Sequence, residues 1–121
     1  MVPTADQYLR AFTKCQTEIR SRQKLLDAHM SMPIENGRHV ATMTKLADAV
    51  GYKNFNAANL HYGTLAQIIG KSVGFSGVGD CWVTVLIEFV PPEETESGHW
   101  ELLLRPEVAE AWTRFMAGES A

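Results

Sequence analysis

Apolar residues recur along the first part of the chain at helical spacing. Tyr8, Phe12, Cys15, Ile19 and Leu26 follow one another at intervals of three, four and seven residues, one stripe of a 3.6-residue period. Thr4, with Gln7 three residues later, forms a capping box. The pattern predicts a long N-terminal helix over 4–29, about 38 Å at 1.5 Å per residue. That is long for a small domain, so either a break near Ser21 or a role as a packing or dimerisation arm follows. Residues 31–41 read as a connection, with Pro33 and the Asn36-Gly37 pair as turn signals.

The stretch 42–70 reads as two short helices joined by a tight turn. Thr42 caps the first, which runs to Val50 and ends at Gly51, where a left-handed residue costs least. Ala47 and Gly51 have the four-residue spacing of a helix-turn-helix: a small residue where the helices pack, then a residue tolerant of positive φ. The second helix begins between Asn54 and Asn56, a good capping residue type, and ends at Gly70. Ala58, Tyr62, Leu65 and Ile69 form its apolar stripe; Asn56, Asn59, His61 and Gln67 lie toward the other side. Gly63 at mid-helix implies a kink or the close approach of another backbone.

Trp82 to Val90 alternates like a strand rich in β-branched and aromatic residues. Pro91 and Pro92 stop it, and the polar loop that follows leads into a second strand over 99–104. The two predict a β-hairpin within 82–104. Pro106 starts a last helix over 106–117, with Val108, Trp112, Phe115 and Met116 as its buried stripe. The sum is a single α+β domain over 1–121: a winged helix-turn-helix with a long N-terminal helix, a two-stranded β-hairpin and a C-terminal helix.

Composition narrows the chemistry. The apolar fraction, 45%, is that of a globular chain. No apolar run is long enough for a membrane span, and the first residues carry no apolar secretion signal, so the expected location is the cytoplasm, that of the host cell if the protein is phage-encoded. Cys15 and Cys81 do not make a disulfide framework; Cys15 lies on the helical apolar face as a core thiol. A net charge of −3 weighs against binding through a general basic surface. The charge is uneven, however. Arg10, Lys14, Arg20, Arg22 and Lys24 face only Glu18 in residues 10–24, whereas 93–110 are acidic apart from Arg105.

Gly70-Lys71-Ser72 resembles the end of a phosphate-binding loop, but the motif needs glycine where Leu65 stands, and a strand before it. A nucleotide-triphosphate site is rejected. His29, His39, His61 and His99 are scattered, with no paired histidines and no Cys-x-x-Cys, so neither a metal site nor a cofactor is expected. No nucleophile–base–orienter set is visible, and the expectation is a protein that is not an enzyme.

The run from Ala41 to Gly70, ATMTKLADAVGYKNFNAANLHYGTLAQIIG, resembles a winged-helix-like module of prokaryotic defence and mobile-element proteins, among them HNH endonucleases in which such a segment precedes the nuclease. HWELLLRPEVAEAW, from His99 to Trp112, resembles the close of the same module, so the likeness covers 41–112. A weaker likeness is to the winged-helix half of DNA alkyltransferases, without their Pro-Cys-His-Arg motif; the nearest cysteine stands in Gly79-Asp80-Cys81-Trp82. The resemblance implies a binding module in a prokaryotic or phage setting.

Two partners fit these features, DNA as the first reading and a protein complex as the alternative. One is DNA, recognised by the turn and second helix through Lys53, Asn54, Asn56, Asn59 and His61, with Lys71 and Ser72 at the far end. Asparagine can read an adenine edge, and His61 with Tyr62 can stack on a base; equally, Tyr62 at helical spacing is core and one asparagine is a cap. With no arginine or lysine between Asn54 and Gly70, phosphate anchoring falls to Lys53, Lys71 or the basic first helix. The other partner is a protein complex of a defence system, met by the acidic hairpin loop through Glu93, Glu94 and Glu96, as in anti-CRISPR-like inhibitors. Trp82, Trp100 and Trp112 read either as a ligand-stacking set or as one core cluster.

Overall fold

The computed structural model describes residues 1–121. The capping box forms as expected: Thr4 Oγ1 accepts from the Gln7 amide at 3.2 Å, and Gln7 Oε1 accepts from the Thr4 amide at 2.7 Å. The single helix expected over 4–29 is instead three, α1 (Ala5–Lys14), α2 (Gln16–Ile19) and α3 (Gln23–Met30). The chain leaves helical geometry at Cys15 (φ −99°, ψ 10°) and again in the turn around Ser21. Tyr8, Leu9, Phe12, Cys15, Ile19, Leu25, Leu26 and His29 are all buried. A straight rod could not lay both of its ends on the same core, and the two breaks wrap the stripe around it. Phe12 meets Trp112 edge-on at 5.0 Å, so the stripe faces the chain's own last helix.

The connection expected over 31–41 is a hairpin of β1 (Ile34–Glu35) and β2 (Arg38–Ala41). Asn36 (φ 51°) and Gly37 (φ 78°) are both left-handed, the geometry that an Asn-Gly turn supplies most cheaply. The strands are short and Ile34 is exposed, so alternation carries no signal there.

Helix α4 (Met43–Val50) is capped by Thr42 and closed by left-handed Gly51 (φ 81°), as the sequence indicates. Helix α5 (Phe55–Val73) is capped by Asn54, whose Oδ1 accepts from the Ala57 amide at 3.1 Å. It does not end at Gly70 but runs one turn further, to left-handed Gly74 (φ 72°). Gly70 is buried, and a Cβ there would lie 2.6 Å from Phe75 O and 2.8 Å from the Trp82 ring. It is a packing glycine. The close approach inferred at Gly63 belongs to Gly70 instead, since a Cβ at Gly63 would meet nothing within 4 Å.

The expected strand over 82–90 begins as a 3₁₀ turn, Trp82–Val85, and only β3 (Ile87–Val90) is extended. Val83, Thr84, Val85, Leu86 and Ile87 are buried consecutively. The apolar run reflects burial on all sides, which a short sequence window cannot tell from a strand. β3 pairs antiparallel with β4 (Glu101–Leu104), Ile87 opposite Leu104 and Phe89 opposite Leu102. β4 pairs in turn with β2, giving a four-stranded antiparallel sheet in the order β1-β2-β4-β3. Helix α6 (Pro106–Met116) follows. The fold is therefore mixed α+β, six helices with a small antiparallel sheet around one cluster of 25 buried residues. The three tryptophans are not one cluster: Trp112 is buried, Trp82 packs half-buried against the core, and Trp100 is exposed. Met116, expected in the buried stripe of α6, is exposed as well.

Candidate functional site: an aromatic groove and a cationic trough

Three segments meet at one end of the molecule: the start of α4, the first turns of α5 and the outer part of the β3–β4 hairpin. Between them lies an apolar hollow of about 330 Å³ lined by Met43, Phe55, Asn59, Phe89, Trp100 and Leu102. A second hollow of about 550 Å³ continues it past Thr44, Lys45, Ser97 and His99. The sheet's pleat explains why apolar side chains stand open here. Phe89 shares a face with buried Ile87, and Trp100 precedes buried Leu102 by two residues, so both continue an apolar face. That face outruns the core. Phe55, Phe89 and Trp100 are 52%, 37% and 55% exposed, and the last two meet edge-on at 5.6 Å. Asn59 is the one polar residue in the lining of the first hollow. The groove can recognise an apolar shape and a hydrogen-bonding group, and its titratable side chains, Lys45 and His99, border the second hollow. No cluster of three or more His, Cys, Asp or Glu is arranged to hold a metal ion.

Glu93, Glu94 and Glu96 are exposed on the loop whose Ser97 and His99 border the groove. The loop is ordered by its own polar groups. Thr95 Oγ1 lies 3.1 Å from Pro92 O and 2.9 Å from His99 O, and Ser97 Oγ donates to Glu101 at 3.0 Å. The carboxylates are thus held out from a short, self-bonded turn.

The residues singled out for DNA do not form one surface. Lys53, Asn54, Asn56 and Asn59 are exposed at the start of α5, where the Asn54 side chain is occupied as the cap and Asn59 lines the groove. His61 is half-buried, with its ring 5.2 Å from that of Tyr52, and Tyr52 carries Lys24 Nζ at 4.8 Å on its ring. His61 is therefore packed on its own chain. Lys71 and Ser72 lie about 18 Å further along α5 than Asn59, at 1.5 Å per residue. There they meet α1. Two adjoining hollows, about 160 and 470 Å³, share Lys14 and Ser72, and between them are bordered by Gln7, Arg10, Thr64, Gln67 and Lys71, with Glu18 as the one acid. The ion pairs of the molecule belong to Arg38, Arg105 and Arg114, so Arg10, Lys14 and Lys71 enter none.

A buried polar knot lies beneath the groove. The Tyr62 hydroxyl donates to His29 Nδ1 at 2.7 Å, while Nε2 faces Leu102 O at 3.1 Å and His39 O at 3.2 Å. Burial holds the His29 pKa down to about 4, against the opposing pull of the two carbonyls. It also pushes the Tyr62 and Tyr8 hydroxyls well up. His29 and Tyr62 are inaccessible to solvent, so the knot ties α3, α5, β2 and β4 together rather than facing a ligand. Its signal in the sequence was faint: His29 follows Leu25 by four residues and Leu26 by three, on the apolar side of α3.

Nothing in the sequence marks Met43, Phe55, Phe89 or Leu102 as members of the groove, and two of them, Phe55 and Phe89, carry most of its open aromatic area beside Trp100. Both sit at apolar positions of their elements, and only the assembled fold leaves them uncovered. No family model, curated protein or solved structure matches the chain.

Proposed function

We propose that the chain is a non-enzymatic winged-helix module that docks a protein partner in the groove between α5 and the β3–β4 hairpin. The winged-helix reading is supported by the order helix, strand, helix, helix, strand, loop, strand, with β4 inserted between β2 and β3. The docking reading rests on one observation: three open aromatic rings, Phe55, Phe89 and Trp100, gathered around a single amide. Aromatic side chains bury 150–250 Å² each and dominate interface energetics. The exposed part of the three rings, roughly half of that area, is worth several kcal/mol of gross burial at about 25 cal/mol per Å², from which the costs of association are subtracted.

The rim selects the partner's charge. The loop that borders the groove carries Glu93, Glu94 and Glu96, while Lys45 is the one charged residue in the lining itself. A phosphate backbone would be repelled by the loop, whereas an apolar segment flanked by lysine or arginine is complemented. In the setting implied by the likeness of residues 41–112, such a partner is a basic subunit of a host defence complex, with this chain as its inhibitor. A second reading, DNA recognition by the same end of α5, is favoured by the exposure of Lys53, Asn56 and Asn59.

The test uses two model helical peptides, one of leucine and lysine and one of leucine and glutamate, titrated into the protein and followed by NMR. The lysine peptide is expected to shift the Trp100 indole and the Phe55 and Asn59 amides. Trp100→Ala with Phe55→Ala should weaken it at least tenfold, about 1.4 kcal/mol. Reversing Glu93, Glu94 and Glu96 to lysine should transfer the preference to the glutamate peptide. An unmoved Trp100, or a preference that ignores the reversal, overturns the proposal.

A further inference from the structure

We propose that the trough between α1 and the C-terminal half of α5 binds the phosphate backbone of a nucleic acid, with Arg10, Lys14 and Lys71 as its anchors. These three side chains border two contiguous hollows and form no ion pair within the protein. Arg10 and Lys14 are four residues apart on one helix face, where like charges repel, and Lys71 brings a third positive charge to them from α5. The carbonyl ends of α1 and α5 account for Lys14 and Lys71 singly, since each lies in a last turn. They do not account for Arg10 at mid-helix, nor for the convergence of all three. An anion laid along the trough neutralises them together.

The shape favours a chain of phosphates over a single ion. The two hollows share Lys14 and Ser72, and Arg10 and Lys14 stand about 6 Å apart along the helix axis. Gln7, Gln67 and Ser72 give the border neutral polar groups suited to phosphate oxygens, whereas the Thr64 hydroxyl already donates to Leu60 O at 3.0 Å. Glu18 closes one end. The trough differs from the sites of the other exposed cations, among them Arg20, Lys45 and Lys53, in bringing three onto one border. It is distinct from the start of α5, where a recognition helix would present Asn56 and Asn59.

Fluorescence anisotropy with labelled single-stranded and duplex oligonucleotides at low salt tests the assignment, with thermal melting as the check that each variant is folded. The expected result is binding whose log affinity falls with log salt at a slope of about −2 to −3, the value for three neutralised phosphates. Replacing Arg10, Lys14 and Lys71 by glutamine should weaken it by roughly tenfold or more and flatten the slope. Glu18→Gln should tighten it, a gain that no loss of folding can mimic. Asn56→Ala with Asn59→Ala should leave it unchanged. The proposal is overturned if the native chain shows no salt-sensitive binding, or if the triple variant binds as the native chain does. Loss on the asparagine substitutions alone moves the contact to the start of α5, and inorganic tripolyphosphate binding as tightly as the oligonucleotides assigns the trough to a small polyphosphate; either result also overturns it.

Discussion

His29 shows how one residue can couple the fold to pH. In the folded chain it is neutral: Nδ1 accepts from Tyr62, Nε2 faces two carbonyls, and burial holds its pKa near 4. In the unfolded chain the ordinary value is about 6.5. As pH falls from 6.5 toward 4 the unfolded chain takes up a proton that the folded chain refuses, so stability must fall over that window and recover as pH rises. A difference of this size corresponds to roughly 3 kcal/mol between pH 7 and pH 4. Urea unfolding at several pH values should show the slope, and His29→Gln, which does not titrate, should remove that part of it. An equal slope in the variant would mean that carboxylates alone carry the acid limb. The sequence shows His29 only as one of four scattered histidines, because the hydroxyl and carbonyls that satisfy it come from Tyr62, His39 and Leu102, far along the chain.

Helix α5 carries two glycines of opposite meaning. At Gly70 a Cβ would stand 2.6 Å from a backbone oxygen, 2.8 Å from the Trp82 ring and 2.9 Å from Val85. A backbone oxygen cannot swing aside as a flexible side chain can. Gly70→Ala should therefore destabilise by about 1–3 kcal/mol, the usual cost of overpacking. At Gly63 the added methyl meets nothing, and Gly63→Ala should stabilise by up to about 1 kcal/mol through helix propensity. Opposite shifts in the denaturation midpoints check the pair; equal shifts would show that the packing against the 3₁₀ turn is not rigid. In the sequence Gly63 reads as a mid-helix interruption and Gly70 as the helix stop, and neither position shows locally which one another segment packs against. The same blindness explains the strand expected at Trp82, where an apolar run buried on all sides resembles extended chain, and the helix expected over 4–29, where a break near Ser21 is expected but the continuous stripe hides the one at Cys15.

At the scale of the whole molecule, the charge asymmetry visible in the sequence becomes two separate faces. The acidic loop rims an aromatic groove at one end of α5, and the cations of α1 join Lys71 at the other. The two should act independently, because sites this far apart with no shared side chain combine additively. Trp100→Ala with Phe55→Ala is expected to weaken capture of the lysine peptide at least tenfold and leave oligonucleotide affinity within about twofold, the usual scatter for independent sites; the triple glutamine variant should do the converse. Measuring both affinities on both variants decides it, and cross-effects beyond that scatter would join the faces into one site.

What the sequence determined by itself is local. The caps at Thr4, Thr42 and Asn54, the glycine stop at Gly51, the hairpin of β3 with β4 and the start of α6 at Pro106 are all legible, because each rests on neighbours within a few residues. The buried places of Cys15 and Tyr62 followed from helical spacing in the same way. The tertiary structure decided the rest. It bent the first stripe around the core, joined the β1–β2 hairpin to β4, and split the suspected DNA set between the two ends of α5. It also left Phe55, Phe89 and Trp100 in the open. Exposure of an apolar residue depends on what other segments fail to cover it, and no periodicity within one segment records that.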